Sequence, residues 1–296
     1  MPQSLAGFFY EGYNRNRFPK EARYFTNVSG EGDPLIDPSL SFLAKCESLA
    51  ILDCCNGLLL CRCGKATDPN TMDYVVCNPA TEKWVVVPAT DWSCKVSVAR
   101  LGFEPAVSSH FHVFEFIDQK TWAGVWKYQT VKHGPFAIPK HSVSSFLNGV
   151  LNLAADYNLT VLSVDVEGDN WWLVPIPERP DYVDDTNGIF YISGTVDYVT
   201  GKWTLKHNVS HLQLFETEYS WYANNYSVIS VHPERSLLFI VGGDERTLMS
   251  YDMDSIELCF IRELGSECKA EWPVCGNKTP FYPHVPLFSE SLADGY

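Results

Sequence analysis

The sequence predicts an all-β protein. Short runs rich in Val, Leu, Ile, Tyr, Phe and Trp are separated by Gly, Pro, Asn and Asp, as is typical of strands and turns. Few long windows keep apolar side chains at the helical spacing of about 3.6 residues. A hairpin pattern also recurs along the chain. No linker rich in Ser, Gly and Pro divides the 296 residues, so we expect a single domain over residues 1–296.

The recurring hairpin has a strand ending in Asn or Asp, a five-residue turn, and a Trp or Leu that opens the next strand. An Asn or Asp side chain at this place can accept backbone N–H bonds and fix the turn. The following Trp offers a large apolar surface to a neighbouring sheet. We therefore interpret these residues as turn and anchor residues. The four pairs are Asn78 and Trp84, Asp165 and Trp171, Asp197 and Trp203, and Asp252 and Leu258.

The spacing of the hairpins predicts the number of blades. Asn78 and Asp252 are 174 residues apart, and a degenerate copy within residues 111–131 divides this distance into four intervals of 43.5 residues on average. Four-stranded propeller blades repeat every ~40–50 residues. The sequence therefore predicts a β-propeller of about six or seven short, partly degenerate blades. Residues 1–45 are expected to form the first blade and to close the ring with residues 280–293.

Two Asn-Gly pairs predict tight hairpins. Asn56-Gly57 and Asn148-Gly149 each separate two apolar runs. Both residue types accept positive φ, which two-residue hairpin turns require.

The charge balance limits the partners. Lys and Arg number 22 against 36 Asp and Glu, so the net charge is −14. Binding to nucleic acid or to anionic lipid needs clustered cations, so neither is expected. Most of the excess negative charge follows residue 100. It is interpreted either as a solvated surface or as an acidic face that steers a basic protein partner.

Ten cysteines are expected to be thiols. Cys54, Cys55, Cys61 and Cys63 lack the spacing of a zinc site and are interpreted as hairpin thiols, and we expect no metal and no cofactor. The first 20 residues lack the apolar core of a secretory signal, so a cytoplasmic or nuclear location is expected.

The hairpin resembles the kelch repeat, and an ordered set of motifs resembles plant F-box-associated domains from about Leu5 to Ala293. The motifs are CCNGLLLCRC, YVVCNPATEKWVVVP, SSFLNGVLNLAA, VLSVDVEGDNWWLVPIP, GKWTLKHNVS, YSVISVHPERSLLFIV, LMSYDMDSIELCFIRELG and HVPLFSESLA. The resemblance implies a β-propeller that binds the client protein of an SCF-type ubiquitin ligase. In that family, an F-box before the propeller binds a Skp-type adaptor and, through it, cullin.

This sequence departs from the family pattern because no F-box is visible. The chain opens on residues that resemble the segment after the F-box. A Skp-type adaptor and cullin are therefore expected as partners only if an F-box exists upstream. The client protein is unknown.

The leading function hypothesis is a non-catalytic protein-interaction domain, not an enzyme. Aromatic side chains in polar, turn-like surroundings are typical binding hot spots. Five fit this description: Trp92, Trp122, Trp221, Tyr222 and Trp272. An alternative is a propeller that binds a small molecule or a glycan at its mouth. A propeller enzyme is a third hypothesis, but neither Gly-x-Ser-x-Gly nor His-Glu-x-x-His occurs.

Overall fold

The computed structural model describes most of the chain, namely residues 4–44, 46, 48–65, 68–88, 90, 96–117, 138, 142–155, 160–175, 189–197, 202–215, 226–232, 234–268 and 281–288. These residues form strands and one five-residue helix, so the predicted all-β class is confirmed. The elements are β1 Gly7–Tyr13, β2 Glu21–Asn27, β3 Ser48–Cys55, β4 Leu58–Lys65, β5 Asp68–Asn78, β6 Lys83–Val87, β7 Val96–Phe103, β8 Phe111–Ile117, β9 Ser144–Leu147, β10 Val150–Ala155, β11 Thr160–Asp165, β12 Trp171–Pro175, β13 Ile189–Asp197, β14 Lys202–Ser210, α1 His211–Phe215, β15 Ser227–Val231, β16 Leu237–Gly242, β17 Thr247–Asp252, β18 Glu257–Glu263 and β19 Tyr282–His284.

The strands form small antiparallel sheets, here numbered I to VI. Sheet I has the order β19-β1-β2, sheets II, IV and VI contain β3–β6, β9–β12 and β15–β18, and sheets III and V are the ribbons β7-β8 and β13-β14. The predicted count of six or seven blades is not supported, because only four of the described sheets have three or four strands. The count came from an average period that included the degenerate copy. Of that copy, the structure describes β8, which pairs with β7.

Separate buried clusters join the sheets into a propeller-like ring. Each cluster takes residues from two sheets, as strands with one apolar face require. Sheet I shares clusters with both II and VI, sheet III with both II and IV, and sheet V with VI. Members from the two sheets include Phe9 and Val75 (I and II), Leu60 and Leu101 (II and III), Phe116 and Leu151 (III and IV), Val209 and Ile240 (V and VI), and Phe8 and Phe239 (VI and I).

Both predicted Asn-Gly hairpins are confirmed. Asn56 and Gly57 connect β3 to β4 with φ values of 44° and 91°. Asn148 and Gly149 connect β9 to β10 with φ values of 51° and 73°. These positive φ values explain why the turns use residues that tolerate the left-handed region.

The two ends of the described chain meet in sheet I. Strand β1 lies between β2 and β19, and Gly7 is paired with His284. Further along β1, the Tyr13 N–H donates to the Glu267 carbonyl at 2.7 Å. Residues late in the sequence thus bond to both ends of β1.

His284 gives this junction a pH dependence. The imidazole is buried between the rings of Phe9 and Phe25, and neither of its nitrogens has a hydrogen-bond partner among the described residues. Burial lowers the pKa of His284 from 6.5 to about 4. The unfolded chain therefore binds a proton between pH 6.5 and 4 that the folded chain does not bind.

We expect this site to remove about 3 kcal/mol of stability as the pH falls from 6.5 to 4. Urea unfolding at several pH values measures the effect. His284→Gln should show a flatter pH dependence, whereas His110→Gln, at an exposed position, should behave like the wild type. An unchanged pH dependence in His284→Gln would contradict the assignment.

The prediction that all cysteines are thiols is wrong for one pair. Cys46 and Cys63 form a disulfide with a Cα–Cα distance of 5.3 Å. Cys46 lies before β3 and Cys63 on β4, so the fold, rather than a recognisable spacing, brings them together. Cys54, Cys55 and Cys61 are free thiols, as predicted. Burial raises the pKa of Cys55 to about 12, which keeps that thiol protonated at neutral pH.

Within the part of the chain that the structure describes, no helix combines the length and the apolar character that crossing a membrane requires.

Candidate interaction surface

The five aromatic residues predicted as contacts lie outside the described residues. They are Trp92, Trp122, Trp221, Tyr222 and Trp272. The structure therefore does not test them, and they remain predictions.

Three of the recurring Asx side chains bond to the turns that follow them. Asn78 Oδ1 accepts the Ala80 N–H at 3.0 Å. Asp165 accepts the N–H groups of Asp169 and Asn170. Asp252 Oδ1 accepts the N–H groups of Asp254 and Ser255 at 2.8 and 3.1 Å. Each side chain thereby satisfies backbone donors where its strand ends.

Asn78 also makes a long-range contact. Its Nδ2 donates to the Leu287 carbonyl at 2.7 Å, and the side chain is buried. This bond ties the β5–β6 turn to the segment that follows β19. The fourth Asx residue, Asp197, ends β13, and Trp203 on β14 pairs with Val196 of β13, but the side chains of Asp197 and Trp203 lie outside what the structure describes.

The anchor residues differ in burial. Trp171 packs against the cluster between sheets III and IV, and Leu258 packs against the cluster between sheets V and VI. Trp84 lies on the outer strand β6 and is 39% exposed. An outer strand has one free edge, so its apolar side chains are covered only as far as the neighbouring sheet extends.

Among the recurring hairpins whose side chains the structure describes, the β17–β18 hairpin of sheet VI carries the most exposed apolar side chains. Phe260, on β18, is 65% exposed although it pairs with the buried Met249. Ile256, in the preceding turn, is 69% exposed. Sequence reasoning missed both, because the continuous apolar run in ELCFIRE is typical of a buried strand. The acidic residues between and around them were the only available signal.

Ile256 has a strained backbone. Its φ is +60°, in the left-handed region that β-branched residues avoid at a cost of roughly 1–2 kcal/mol. Glu82 occupies the same place in the β5–β6 turn with φ +56°. The hairpin geometry, rather than the residue, thus imposes this conformation.

We expect Ile256→Gly to raise the free energy of unfolding by about 1 kcal/mol, because Gly adopts this φ without strain. Ile256→Val is the matched control, since it stays β-branched and should not gain stability. Thermal or urea unfolding of both variants measures the difference. Equal stability of the two variants would contradict the strain.

The charges around β18 are mainly acidic. Asp254, Glu257 and Glu263 are exposed, and none of them makes an ion pair with any described residue. Arg262 is the one basic residue of β18 and is half-buried. This surface therefore presents negative charge beside exposed apolar groups.

A buried polar network joins the first strands of sheets II, III and IV. Asp53 Oδ2 on β3 accepts the Leu101 N–H at 2.8 Å, and Asp53 also accepts the Ser144 hydroxyl at 3.2 Å. Arg100 on β7 donates to the Ser142 carbonyl at 3.0 Å. Burial raises the pKa of Asp53, while the nearby Arg100 guanidinium partly opposes that rise.

The network suits a structural role. Asp53 and Arg100 are both buried, so a substrate has no direct access to them. Each group instead holds a backbone or hydroxyl partner on a neighbouring sheet. Among the described residues, no group of three His, Cys, Asp or Glu side chains could hold a metal ion.

Comparison with known proteins gives one informative relative. No protein-family model matches the chain. The chain is similar to an F-box protein of Arabidopsis thaliana, with 23% identity over 257 residues that cover 70% of this chain and 59% of the relative. The chain thus spans less than two thirds of that protein's length.

Solved structures align over most of the chain but only loosely. A DUF4784 family protein from Bacteroides caccae covers 90% of this chain and 72% of its own, with 12% identity and a TM-score of 0.41. For a chain of a nidogen/laminin complex, the alignment covers 96% of this chain and 98% of that chain, with 10% identity and a TM-score of 0.38. For a protein from Lactobacillus plantarum, the alignment covers 88% of this chain and 82% of that protein, with 11% identity and a TM-score of 0.40. Because these TM-scores are below 0.5, the description of the fold rests on the strand pairings alone.

Proposed function

We propose that this chain is a non-catalytic protein-interaction propeller that binds the client protein of an SCF-type ubiquitin ligase. The observation that carries the proposal is its similarity to an F-box protein over 70% of the chain. The ring of small antiparallel sheets supports it, because such a scaffold presents loops and outer strands to a partner. The kelch-like form of the hairpin belongs to the same proposal.

We also propose that the two ribbons, sheets III and V, belong to the same ring as the four larger sheets. Sheet III shares buried clusters with sheets II and IV, and sheet V shares one with sheet VI. Each ribbon thus packs as a blade does, although the described residues give it only two strands.

The proposed partners follow from the same reasoning. The client is a protein, and a Skp-type adaptor and cullin join the complex only where an F-box is attached to this propeller. The net charge of −14 does not favour nucleic acid or a membrane as a partner. The proposed location is the cytoplasm or the nucleus.

Quantitative affinity capture from plant extract tests the client-binding function. The tagged chain is compared with five single variants: Trp92→Ala, Trp122→Ala, Trp221→Ala, Tyr222→Ala and Trp272→Ala. We expect a reproducible protein to be enriched by the wild type and lost in at least one variant whose melting temperature is unchanged. The proposal fails if the wild type enriches no protein. It also fails if the enriched protein is still captured by all five variants and by variants that lack each of the exposed apolar side chains named above.

A further inference from the structure

Strand β18 offers a free backbone edge. It is the last strand of sheet VI, and no described strand pairs with its outer side, although its register with β17 shifts at Ile261 and Gly30 packs against the Ile261 carbonyl. Its seven residues exceed the five of β6 and the five of β12, which are the last strands of sheets II and IV. An unpaired edge presents backbone N–H and C=O groups to which an extended chain can add.

An apolar side chain lies beside this edge. Phe260 continues the apolar face formed by Met249 and Leu258, but the ring itself is mostly exposed. Ile256 extends the exposed apolar surface into the adjoining turn. A strand added beside β18 would cover part of this surface and gain the corresponding apolar burial.

The charged residues distinguish β18 from β6 and β12, the last strands of sheets II and IV. Glu257 and Glu263 stand at its two ends, and Asp254 lies in the turn before it. Strand β6 carries Lys83 and no acidic residue, while β12 carries no charge. A basic strand therefore complements β18 better than either of the other two edges.

The same charges disfavour a second copy of this chain. In antiparallel self-pairing centred on Phe260, Glu257 of one copy lies opposite Glu263 of the other. Like charges placed directly opposite each other destabilise a strand pair. A partner with Lys or Arg at these places would instead form opposite-charge pairs at both ends of the added strand.

We propose that the outer edge of β18 binds an extended basic segment of the client protein as an added β-strand, with Phe260 as the apolar contact and Glu257 and Glu263 as the charge contacts. This inference rests on the proposed function, since it names the kind of client segment that the propeller binds.

Fluorescence anisotropy with defined peptides tests the site. The probe is a labelled eight-residue peptide of alternating Lys and Val, and its control is the alternating Glu and Val peptide. We expect the basic peptide to bind at least about tenfold more tightly, a difference of ~1.4 kcal/mol. Methylation of alternate backbone nitrogens removes the N–H donors along one edge of the peptide. A basic peptide that is methylated on the edge facing β18 should no longer bind, because an added strand needs those donors.

Variants of the chain locate the contact. Phe260→Ala and the double variant Glu257→Gln with Glu263→Gln should each weaken binding of the basic peptide by about tenfold. Leu173→Ala is the matched control, because Leu173 is 42% exposed on the outer strand β12. That variant should bind the peptide as the wild type does. All these side chains are on the surface, so circular dichroism and the melting temperature should not change.

Three results would overturn the inference. They are equal affinity for the two peptides, binding that Phe260→Ala leaves intact, and a dimer in sedimentation that Phe260→Ala abolishes, which would identify a second copy as the occupant. These results are distinguishable from failure of the proposed function. A client that is captured by the wild type and equally by Phe260→Ala would refute the site at β18 and leave the client-binding function standing.

Discussion

Replacing Asp53 with alanine is expected to lower the free energy of unfolding by about 3–5 kcal/mol, one of the largest effects of any single substitution. The substitution leaves the Leu101 N–H and the Ser144 hydroxyl without their acceptor. It also leaves the Arg100 guanidinium buried without the neighbouring carboxylate. A buried guanidinium that loses a nearby carboxylate is less stable because the protein interior solvates charge poorly.

Urea unfolding of Asp53→Ala measures this loss, and Asp33→Ala is the control because Asp33 is exposed. In a double-mutant cycle, Asp53→Ala combined with Arg100→Met should cost less than the sum of the single substitutions, since the two side chains belong to one buried network. A loss below about 1 kcal/mol for Asp53→Ala, or strict additivity in the cycle, would show that the network is not coupled.

Phe8→Ala is expected to destabilise the protein by a similar amount, about 3–5 kcal/mol. Phe8 is completely buried where sheet I meets sheet VI. Its ring packs edge-to-face on Phe239, with a centroid distance of 5.1 Å. Truncation removes the apolar burial, removes this aromatic contact and leaves a cavity at the junction between the two ends of the chain.

Phe18→Ala is the matched control, because Phe18 is 97% exposed and should contribute less than about 0.5 kcal/mol. Thermal and urea unfolding of the two variants gives the comparison. If Phe8→Ala were as stable as Phe18→Ala, the packing of sheet I on sheet VI would be wrong.

Local features of the fold could be predicted from the sequence. The Asn-Gly hairpins need only two residues with positive φ, so the dipeptides at 56–57 and 148–149 were sufficient. The strand ends at Asn78, Asp165 and Asp252 could be predicted for a similar reason, because a side chain and the next few residues define each turn.

Features that depend on distant residues could not be predicted. Asp53 meets partners 48 and 91 residues away, so no spacing marks the network. The Cys46–Cys63 disulfide needs the segment before β3 to lie against β4. The blade count failed because an average period does not reveal how many strands each sheet has.

The exposure of Phe260 shows the same limit. Strand pairing places it opposite the buried Met249, and the apolar run of ELCFIRE is typical of a covered strand. Coverage at an outer strand depends on how far the neighbouring sheet extends, which the sequence of the strand does not contain. The acidic residues around it were noticed only as part of an overall excess of negative charge.

The most direct test of the account is hydrogen exchange of β1 in the intact chain, measured by mass spectrometry. The account places β1 between β2 and β19 in a propeller-like ring, with late residues bonded to both ends of β1. It predicts that the amides of Gly7–Tyr13 exchange only on global unfolding, more slowly than those of the outer strands β6 and β18. If half of the β1 amides exchanged as fast as those outer strands, β1 would be an edge strand and the ring would be open.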